Sequence, residues 1–346
     1  MASTNALLTI SVPTYNRPEN AKNTLLRLIP QLTDEVCVNV LDNCSDIDVG
    51  DYFQQYANSE FSGRINFIRH AVNIGADVNF QRCFELCQTP YIWLLGDDDR
   101  IETNAVEIIL NEINKYKNYD LIGINFCSSV IETDRKEPIL IKNTSDLAYK
   151  MDAIGNFETI STTIYRTQEY INFIHYASWG AYMMASQIIP AIMAISVNKV
   201  LILSEKYIVD IERPENPLER WSEYQFALSI SSILEAPIGL KKEEYKALGK
   251  KLSLHFDFIW PLSILYTILK SVGYKVELID NYHIYIYKQL MFKTFEFRTN
   301  KIHQLYQFYI CLFFLKYKNM LKLLIRIRPG IKNRAERSVP YKLFIR

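Results

Sequence analysis

The chain has 346 residues, of which 49% are hydrophobic and 22% are charged. This balance predicts a folded globular protein and excludes a disordered or fibrous one. The formal net charge of +1 hides a division, because residues 301–346 carry eleven Lys or Arg and one acid, Glu336, whereas the first 300 residues carry 28 basic and 37 acidic side chains. A division of this size indicates an interaction surface in the basic tail.

The cysteine pattern and the first residues narrow the class of protein further. None of the six cysteines belongs to a Cys-x-x-Cys pair and only five His are present, which argues against a zinc site. The start of the sequence lacks a basic segment followed by a long apolar one, so it does not resemble a signal peptide. We therefore expect the active portion to be cytoplasmic.

Strand and helix patterns alternate along the first 130 residues. Alternation at this spacing predicts an α/β fold, with a mostly parallel, Rossmann-like central sheet flanked by helices. Further along we expect a helix at 177–197, a strand at 200–210 and mainly helices from 224 onward. The early strands are predicted at 7–12, 36–41, 65–68, 91–95 and 121–127, and the early helices at 20–32, 78–86 and 103–117.

Four of these predicted strands are followed by polar residues. Because ligands bind beyond the carboxyl ends of strands in such sheets, these residues are expected to form one site. One of the four groups is three consecutive aspartates, which repel one another. A hard divalent cation such as Mg²⁺ or Mn²⁺ would neutralise them, although an acidic surface turn is an alternative interpretation. The four groups are Pro13-Thr14-Tyr15, Asp42, Asn73-Ile74-Gly75 and Asp97-Asp98-Asp99.

The segments ISVPTYNRP, NIG and YIWLLGDDD, with an aspartate closing the second strand, resemble the family-two nucleotide-sugar glycosyltransferases over roughly residues 7–210. The forms NIGADVNFQRC and WLLGDDD are similar to the abequosyltransferase-like branch. The resemblance implies an A-type glycosyltransferase catalytic domain over residues 1–222. Its nucleotide-sugar half would cover about 1–128 and its acceptor half about 129–222, followed by a helical C-terminal region over 223–346.

The resemblance also implies roles for individual residues. Tyr15 would stack on the nucleotide base, and Asp42 would accept a hydrogen bond from the base or ribose. Asp97 would face the ribose and the metal, whereas Asp99 would hold the metal that bridges the donor's diphosphate. The other implied substrate-binding residues are Pro13, Thr14, Arg17, Asn73, Gly75, Asn79, Arg82, Asp98, Arg213, Arg220 and Trp221. For Arg82, Arg213 and Arg220, an ordinary solvated position is the alternative.

The catalytic base departs from the family pattern. Inverting relatives carry an acidic pair after the metal motif, but the corresponding segment here, His175–Gln187, contains no acid. A general base must reach the acceptor hydroxyl, and several groups remain as alternatives, with inversion as the default expectation. The candidates are Glu158, Asp210, Glu212 and His175.

The basic tail predicts an amphipathic helix over residues 302–328. Lys318, Lys322 and Arg326 repeat every four residues and form a cationic face. The apolar run FYICLFFL is far shorter than the ~20 residues that span a bilayer. We therefore expect this helix to lie on an anionic membrane surface, with packing on the body of the protein as the alternative, and we expect no nucleic-acid partner.

These observations and the resemblance predict a Mn²⁺- or Mg²⁺-dependent glycosyltransferase that moves a hexosyl or dideoxyhexosyl group. Its donor would be a CDP-, UDP- or dTDP-sugar, and its acceptor a glycan linked to polyprenyl diphosphate. It would serve bacterial O-antigen or capsule synthesis, bound peripherally to the inner face of the plasma membrane. A nucleotidyltransferase is one alternative, although the first strand lacks a Gly-rich phosphate loop. A catalytically inactive glycan-binding relative is another.

Overall fold

The computed structural model divides the described chain into two compact units. The first contains the described residues up to Asp210 together with Ala236–Gly239, and the second contains the described residues 233–235 and those from Leu240 onward. The structure describes residues 6–54, 64–128, 133, 135–180, 186–210, 233–255, 265, 268–269, 272, 274–294 and 301–327.

A mixed sheet of nine strands forms the centre of the first unit within the described residues. The pairings β1–β2, β2–β3, β1–β4 and β6–β9 are parallel, whereas β8 runs antiparallel between β4 and β6, and β5 and β7 run antiparallel to β9. The strands are β1 (Leu8–Thr14), β2 (Val36–Asp42), β3 (Ile65–Arg69), β4 (Tyr91–Leu94), β5 (Arg100–Ile101), β6 (Leu121–Ser128), β7 (Ile139–Ile141), β8 (Thr163–Arg166) and β9 (Val200–Asp210).

Helices cover both faces of this sheet, and for this reason every residue of β1 and β2 is buried. The first helix begins at Pro18, a residue that suits the first helical turn because its missing N–H would have no partner there. It buries Ala21, Leu25 and Leu28, which repeat at helical spacing. The helices of this unit are α1 (Pro18–Leu28), α2 (Val49–Gln54), α3 (Ala76–Glu85), α4 (Ala105–Tyr116), α5 (Thr144–Lys150), α6 (Ile154–Glu158), α7 (Thr167–Ile171) and α8 (Ile188–Ser196).

The parallel register brings the ends of the first strands to one rim. Thr14 pairs with Asp42, and Asp42 pairs in turn with Arg69. The antiparallel partners bring later residues to the same rim, because Arg100, which follows the three aspartates, pairs with Asp210 at the end of β9. The convergence expected from the strand ends is therefore present in the backbone.

The helix expected at 177–197 is shorter than predicted. Residues Ile174–Trp179 form a 3-10 segment that ends at Gly180. Among the described residues of this range, only Ile188–Ser196 is α-helical, with Pro190 in its first turn. Residues 181–185 lie outside the described part of the chain. The apolar spacing continues through Gly180, but a glycine weakens a helix, which explains the overestimate.

The described part of the second unit is helical. Two 3-10 turns lie at Ile233–Glu235 and Val276–Leu278. No helix in the described segments of the chain combines the length and the apolar character needed to cross a membrane. The helices are α9 (Lys242–His255), α10 (Asn281–Thr294), α11 (Lys301–Lys316) and α12 (Lys318–Ile327).

Candidate active site

The first aspartate of the acidic turn is held by the end of β1, by a threonine within α1 and by the arginine that precedes this helix. Thr14 Oγ1 donates to Asp97 Oδ2 at 2.7 Å, and Thr24 Oγ1 donates to the Asp97 carbonyl oxygen at 2.9 Å. Arg17 Nη2 lies 3.1 Å from Asp97 Oδ1, and its Nη1 donates to Asp98 at 2.7 Å. Arg17, which the resemblance placed among the substrate-binding residues, therefore partly neutralises the acidic turn.

The last aspartate is held by a residue from far along the chain. Ser161 Oγ donates to Asp99 Oδ2 and accepts a hydrogen bond from the Gly96 backbone N–H at 2.8 Å. Ser161 is itself fixed because its carbonyl oxygen accepts from Trp93 Nε1 at 2.8 Å. A Cβ atom on Gly96 would lie 2.7 Å from Asp99 Oδ2, so only glycine leaves room for this carboxylate.

Burial favours the protonated form of Asp97 and Asp99, the two outer aspartates of the turn, when no cation is nearby. Burial raises the pKa of Asp97 to about 6, opposed by Arg17 and reinforced by Asp98. Burial also raises the pKa of Asp99 to about 7, opposed by the hydrogen bond from Ser161 and reinforced by the other two aspartates. A nearby positive charge would restore both carboxylates to the ionised form.

This turn fits a hard cation that is shared with a ligand. Asp97 Oδ1 is buried and accepts no hydrogen bond within the described part of the chain, although Arg17 lies close to it. Among the residues that the structure describes, no three His, Cys, Asp or Glu side chains converge into a complete metal cage. Mg²⁺ and similar ions nonetheless bind through one or two carboxylates when substrate phosphates supply further oxygens, and Asp97 and Asp99 can provide such carboxylates.

Asp42 is already surrounded by donors from its own chain. Its carboxylate accepts from the backbone N–H and the hydroxyl of Ser45, and from Arg69 Nη1 at 2.8 Å. Only 3% of Asp42 is exposed. The observed contacts therefore shape the loop after β2, and its hydrogen bond to a nucleotide stays a prediction.

Amide side chains connect the neighbouring loops of the rim. Asn43 Nδ2 donates to Asn73 Oδ1 at 2.9 Å, and Asn43 Oδ1 accepts from the backbone N–H of Ile74 at 2.9 Å. Asn73 Oδ1 also accepts from the N–H of Gly75, whose φ of +84° favours glycine. Asn43 was not singled out from the sequence, although it directly follows the predicted strand end.

The remaining predicted nucleotide residues differ in accessibility. Tyr15 is 41% exposed and can present its ring to a base, whereas Pro13 and Thr14 are buried. Asn79 is buried, with its amide bonded to the ring of His70 and to the Leu41 carbonyl oxygen. Arg82 lies on α3 and forms an ion pair with Glu85.

The base candidates occupy different environments. Glu158 is 2% exposed, and neither of its carboxylate oxygens has a hydrogen-bond partner among the described residues. Burial raises the pKa of Glu158 well above its ordinary value. Asp210 is exposed at the rim opposite Arg100, and His175 is exposed with its ring centroid 4.1 Å from that of Tyr176. The other predicted residues Glu212, Arg213, Arg220 and Trp221 lie outside the described part of the chain.

Two curated proteins share sequence with this chain. The abequosyltransferase RfbV of Salmonella typhimurium is 29% identical over 107 residues, which cover 30% of this chain and 31% of that protein. The Escherichia coli protein WcaA, a putative colanic acid biosynthesis glycosyl transferase, is 26% identical over 157 residues, which cover 44% of this chain and 56% of that protein. The matches thus span about a third and about half of these relatives.

Solved structures share the fold at low sequence identity. Staphylococcus aureus TarS 1–349 in complex with UDP has a TM-score of 0.59 at 15% identity, covering 98% of this chain and 93% of that one. The mannosyltransferase PcManGT of Pyrobaculum calidifontis, in complex with GDP-Man and Mn²⁺, has a TM-score of 0.54 at 10% identity, covering 99% and 88%. These neighbours confirm the predicted A-type glycosyltransferase fold with its helical C-terminal region.

The family model for glycosyl transferase family 2 matches residues 9–180. This range contains all of β1 except Leu8, the strands β2 to β4, the acidic turn and Ser161, whereas Asp210 of the rim lies beyond it. The chain belongs to glycosyltransferase family 2.

Proposed function

We propose that this chain transfers a sugar from a nucleoside-diphosphate sugar to a lipid-linked glycan, in a reaction that needs Mn²⁺ or Mg²⁺. The observation that carries the proposal is the pair of buried aspartates with raised pKa values, Asp97 and Asp99, at the rim that also presents Tyr15. Catalysis would reside in residues 1–222, with the nucleotide-sugar half at about 1–128 and the acceptor half after it.

In this proposal, Asp99 and Asp97 would hold the metal, and its positive charge would offset the negative charge that develops on the departing nucleoside diphosphate. Arg17 contributes positive charge beside the same carboxylates. Ser161 orients Asp99, and Tyr15 supplies a stacking surface for the base. The other predicted ligands at 213, 220 and 221 would act from the segment after β9.

Asp210 is the described candidate that best meets the requirements of a general base. It is exposed, and its backbone pairs with Arg100, the residue next to Asp99. Side chains opposite each other on antiparallel strands lie on the same face, which favours a position of Asp210 beside the acidic turn. Glu158, by contrast, is buried away from solvent and would need to become accessible before it could meet an acceptor hydroxyl.

The relatives suggest which donors and pathways deserve testing. TarS has been crystallised with UDP and UDP-GlcNAc, and PcManGT with GDP-Man and Mn²⁺. The names of RfbV and WcaA refer to abequosyl transfer and colanic acid biosynthesis. We therefore propose a CDP-, UDP- or dTDP-sugar donor and a role in bacterial surface polysaccharide synthesis, with a polyprenyl-diphosphate-linked glycan as acceptor.

We also propose that the protein acts at the inner face of the plasma membrane, held there peripherally by its basic C-terminal region. A lipid-linked acceptor would be presented at that surface, and the eleven Lys or Arg of residues 301–346 favour an anionic membrane. Membership in a glycosyltransferase family leaves no support for the nucleotidyltransferase alternative. An inactive glycan-binding relative remains one outcome of the experiment below.

A thermal-shift panel of UDP, CDP, GDP and dTDP, each with and without Mn²⁺, tests the donor site. Ligand at 100 times its Kd adds about 2.7 kcal/mol of stability, which raises the Tm of a domain this size by roughly 5–10 °C. We expect one diphosphate to reach this range only with Mn²⁺. The Asp99→Asn variant should lose the part of this Tm increase that depends on Mn²⁺, because a neutral amide cannot replace an anionic metal ligand.

Asp51→Asn on the exposed surface of α2 is the matched control and should keep the full shift. Equal small shifts for all four diphosphates, with or without Mn²⁺, would contradict the donor site. A normal shift without transfer or hydrolysis of any nucleotide sugar would instead identify an inactive relative.

A further inference from the structure

Helix α11 has apolar residues on two opposite sides. One side is buried within the second unit, and the rings of Phe308 and Tyr287 on α10 stack there with centroids 5.5 Å apart. The Tyr287 hydroxyl donates to the Phe308 carbonyl oxygen at 3.2 Å. The buried residues repeat every three or four positions, as one face of a helix requires, and they are Gln304, Phe308, Cys311 and Leu315.

The opposite side of α11 is exposed but equally apolar. Tyr306 is 66% exposed, Tyr309 is 61% exposed and Phe313 is 46% exposed. Two successive residues of a helix are separated by 100°, so Tyr306 lies about half a turn from the buried Phe308. We call the exposed aromatic stripe the following residues, which continue across the start of α12: Ile302, Tyr306, Tyr309, Phe313, Tyr317 and Met320.

Lys318 and Lys322, two of the three residues of the cationic face expected from the sequence, have partners within the unit. Lys318 Nζ donates to the Glu277 carbonyl oxygen at 3.2 Å, and Lys322 Nζ lies 3.2 Å from Glu277 Oε2. Leu321, between them, is fully buried. The side of α12 that carries Lys318 and Lys322 thus packs against the 276–278 turn, whereas the side chains of the exposed aromatic stripe remain open to solvent.

We propose that the exposed aromatic stripe, and not the Lys318–Lys322 face, is the surface that inserts into an anionic lipid membrane. This inference rests on the membrane association proposed above. An exposed apolar patch of this kind marks an interaction site, and tyrosine suits the boundary between acyl chains and headgroups because it has an apolar ring and a polar tip.

Charge selects lipid over a second copy of the chain as the occupant. Residues 301–327 contain five Lys or Arg and no Asp or Glu. Two copies joined stripe to stripe would bring like charges together, which costs free energy. Anionic headgroups around the same stripe would instead attract flanking cations other than the two lysines bound to Glu277, such as the exposed Lys316 and Arg326.

Vesicle co-sedimentation of the full-length protein tests the proposal. The vesicles contain phosphatidylcholine alone or phosphatidylcholine with phosphatidylglycerol. The double variant Tyr309→Glu/Phe313→Glu should lose at least about tenfold in partition to the anionic vesicles, because charges replace two rings that would enter the lipid. The double variant Lys318→Gln/Lys322→Gln should lose much less, since both side chains have partners within the protein.

A matched control introduces two negative charges elsewhere on the surface of the second unit. Tyr282 and Tyr285 on α10 are also exposed, at 39% and 54%, but lie outside the stripe. The variant Tyr282→Glu/Tyr285→Glu should keep wild-type partition. Circular dichroism and Tm establish that each variant is folded, and Tyr309→Ala/Phe313→Ala, which adds no charge, should show an intermediate loss.

Every outcome decides the question. The proposal fails if Tyr309→Glu/Phe313→Glu binds the anionic vesicles as well as the wild type does, or if only Lys318→Gln/Lys322→Gln loses binding. It also fails if the wild type binds no vesicles. If light scattering shows that the stripe variant dissociates a dimer while vesicle binding persists, the occupant is a second copy and the lipid assignment fails. Stabilisation by a nucleoside diphosphate, measured in the same variants, reports separately on the transferase function.

Discussion

Ser161 forms a hydrogen bond with Asp99, although the two residues are more than sixty positions apart in the sequence. Its hydroxyl donates to the carboxylate, and it also accepts the hydrogen bond of the Gly96 N–H. Both atoms are buried, so removal of the hydroxyl would leave a backbone donor without a partner and the carboxylate without its main stabilising hydrogen bond. Ser161 is therefore a positioning residue for the proposed metal ligand.

We expect Ser161→Ala to weaken Mn²⁺ binding in the presence of the nucleoside diphosphate by roughly tenfold or more, the range found when outer-sphere hydrogen bonds to metal ligands are removed. Because the hydrogen bond lowers the pKa of Asp99, its loss should also move the pH midpoint of Mn²⁺ binding upward. Titration calorimetry at several pH values measures both effects.

The surface variant Ser178→Ala is the control, because its hydroxyl is exposed and donates only to the nearby His175 carbonyl oxygen. It should bind Mn²⁺ like the wild type at every pH. Unchanged affinity and an unchanged midpoint in Ser161→Ala would show that the hydroxyl does not position the ligand.

A second prediction concerns how the buried Glu158 makes the stability of the fold depend on pH. Its folded-state pKa is raised by burial, so the folded state retains a proton over a window that begins near the ordinary value of 4.5 and extends upward. Stability is lost as pH rises through that window. Glu158→Gln, which cannot ionise, should therefore gain Tm relative to wild type progressively as the pH rises above the ordinary pKa of a glutamate.

Glu85→Gln, on the exposed surface of α3, controls for the loss of one negative charge. The same Glu158→Gln protein separates the base candidates, since it should retain sugar transfer if Asp210 is the base. A Tm difference that stays constant with pH, or the loss of transfer in a folded variant, would contradict this account of Glu158.

At the scale of elements, β8 depends on a close approach of backbones. A Cβ atom on Gly123 in β6 would lie 2.6 Å from the Ile164 carbonyl oxygen in β8. Ile164 also pairs with Trp93 in β4. The pairing of β6 with β8 therefore helps to place the 3-10 turn that contains Ser161 beside the end of β4. Glycine at 123 is thus required for the packing that completes the site.

Gly123→Ala should destabilise the first unit by about 1–3 kcal/mol, the usual cost of overpacking, and lower its Tm by roughly 2–12 °C. Differential scanning calorimetry measures the change. Gly50→Ala should cost less, because its added Cβ would meet only side chains at 3.1 Å. Equal Tm values for Gly123→Ala and wild type would show that the two strands can separate without penalty.

The early elements could be predicted from the sequence because local patterns dominate there. The apolar run before Pro13 and the helical spacing of Ala21, Leu25 and Leu28 agree with β1 and α1. The break at Gly180 and the separation of α11 from α12 at Tyr317 were missed. In both places the apolar spacing continues across the break, so the hydrophobic pattern contains no signal for it.

At the scale of the whole molecule, charge and hydrophobic surface are divided between different segments. The acidic turn lies in the first unit, whereas the basic segment and the exposed aromatic stripe lie in the second. The sequence showed the charge division, because net charge is a sum over residues. It did not show which side of α11 and α12 remains exposed, since that depends on packing against Tyr287 and Glu277.

The sequence by itself determined the family, the alternation of strands and helices, and the aspartates at the end of β4, because these features lie in contiguous residues. Only the tertiary structure decided that Ser161 orients Asp99, that Asp42 is enclosed by Ser45 and Arg69, and that Asp210 lies opposite Arg100. The physical reason is that burial, hydrogen-bond partners and pKa values depend on contacts between distant segments, which form only when the sheet assembles.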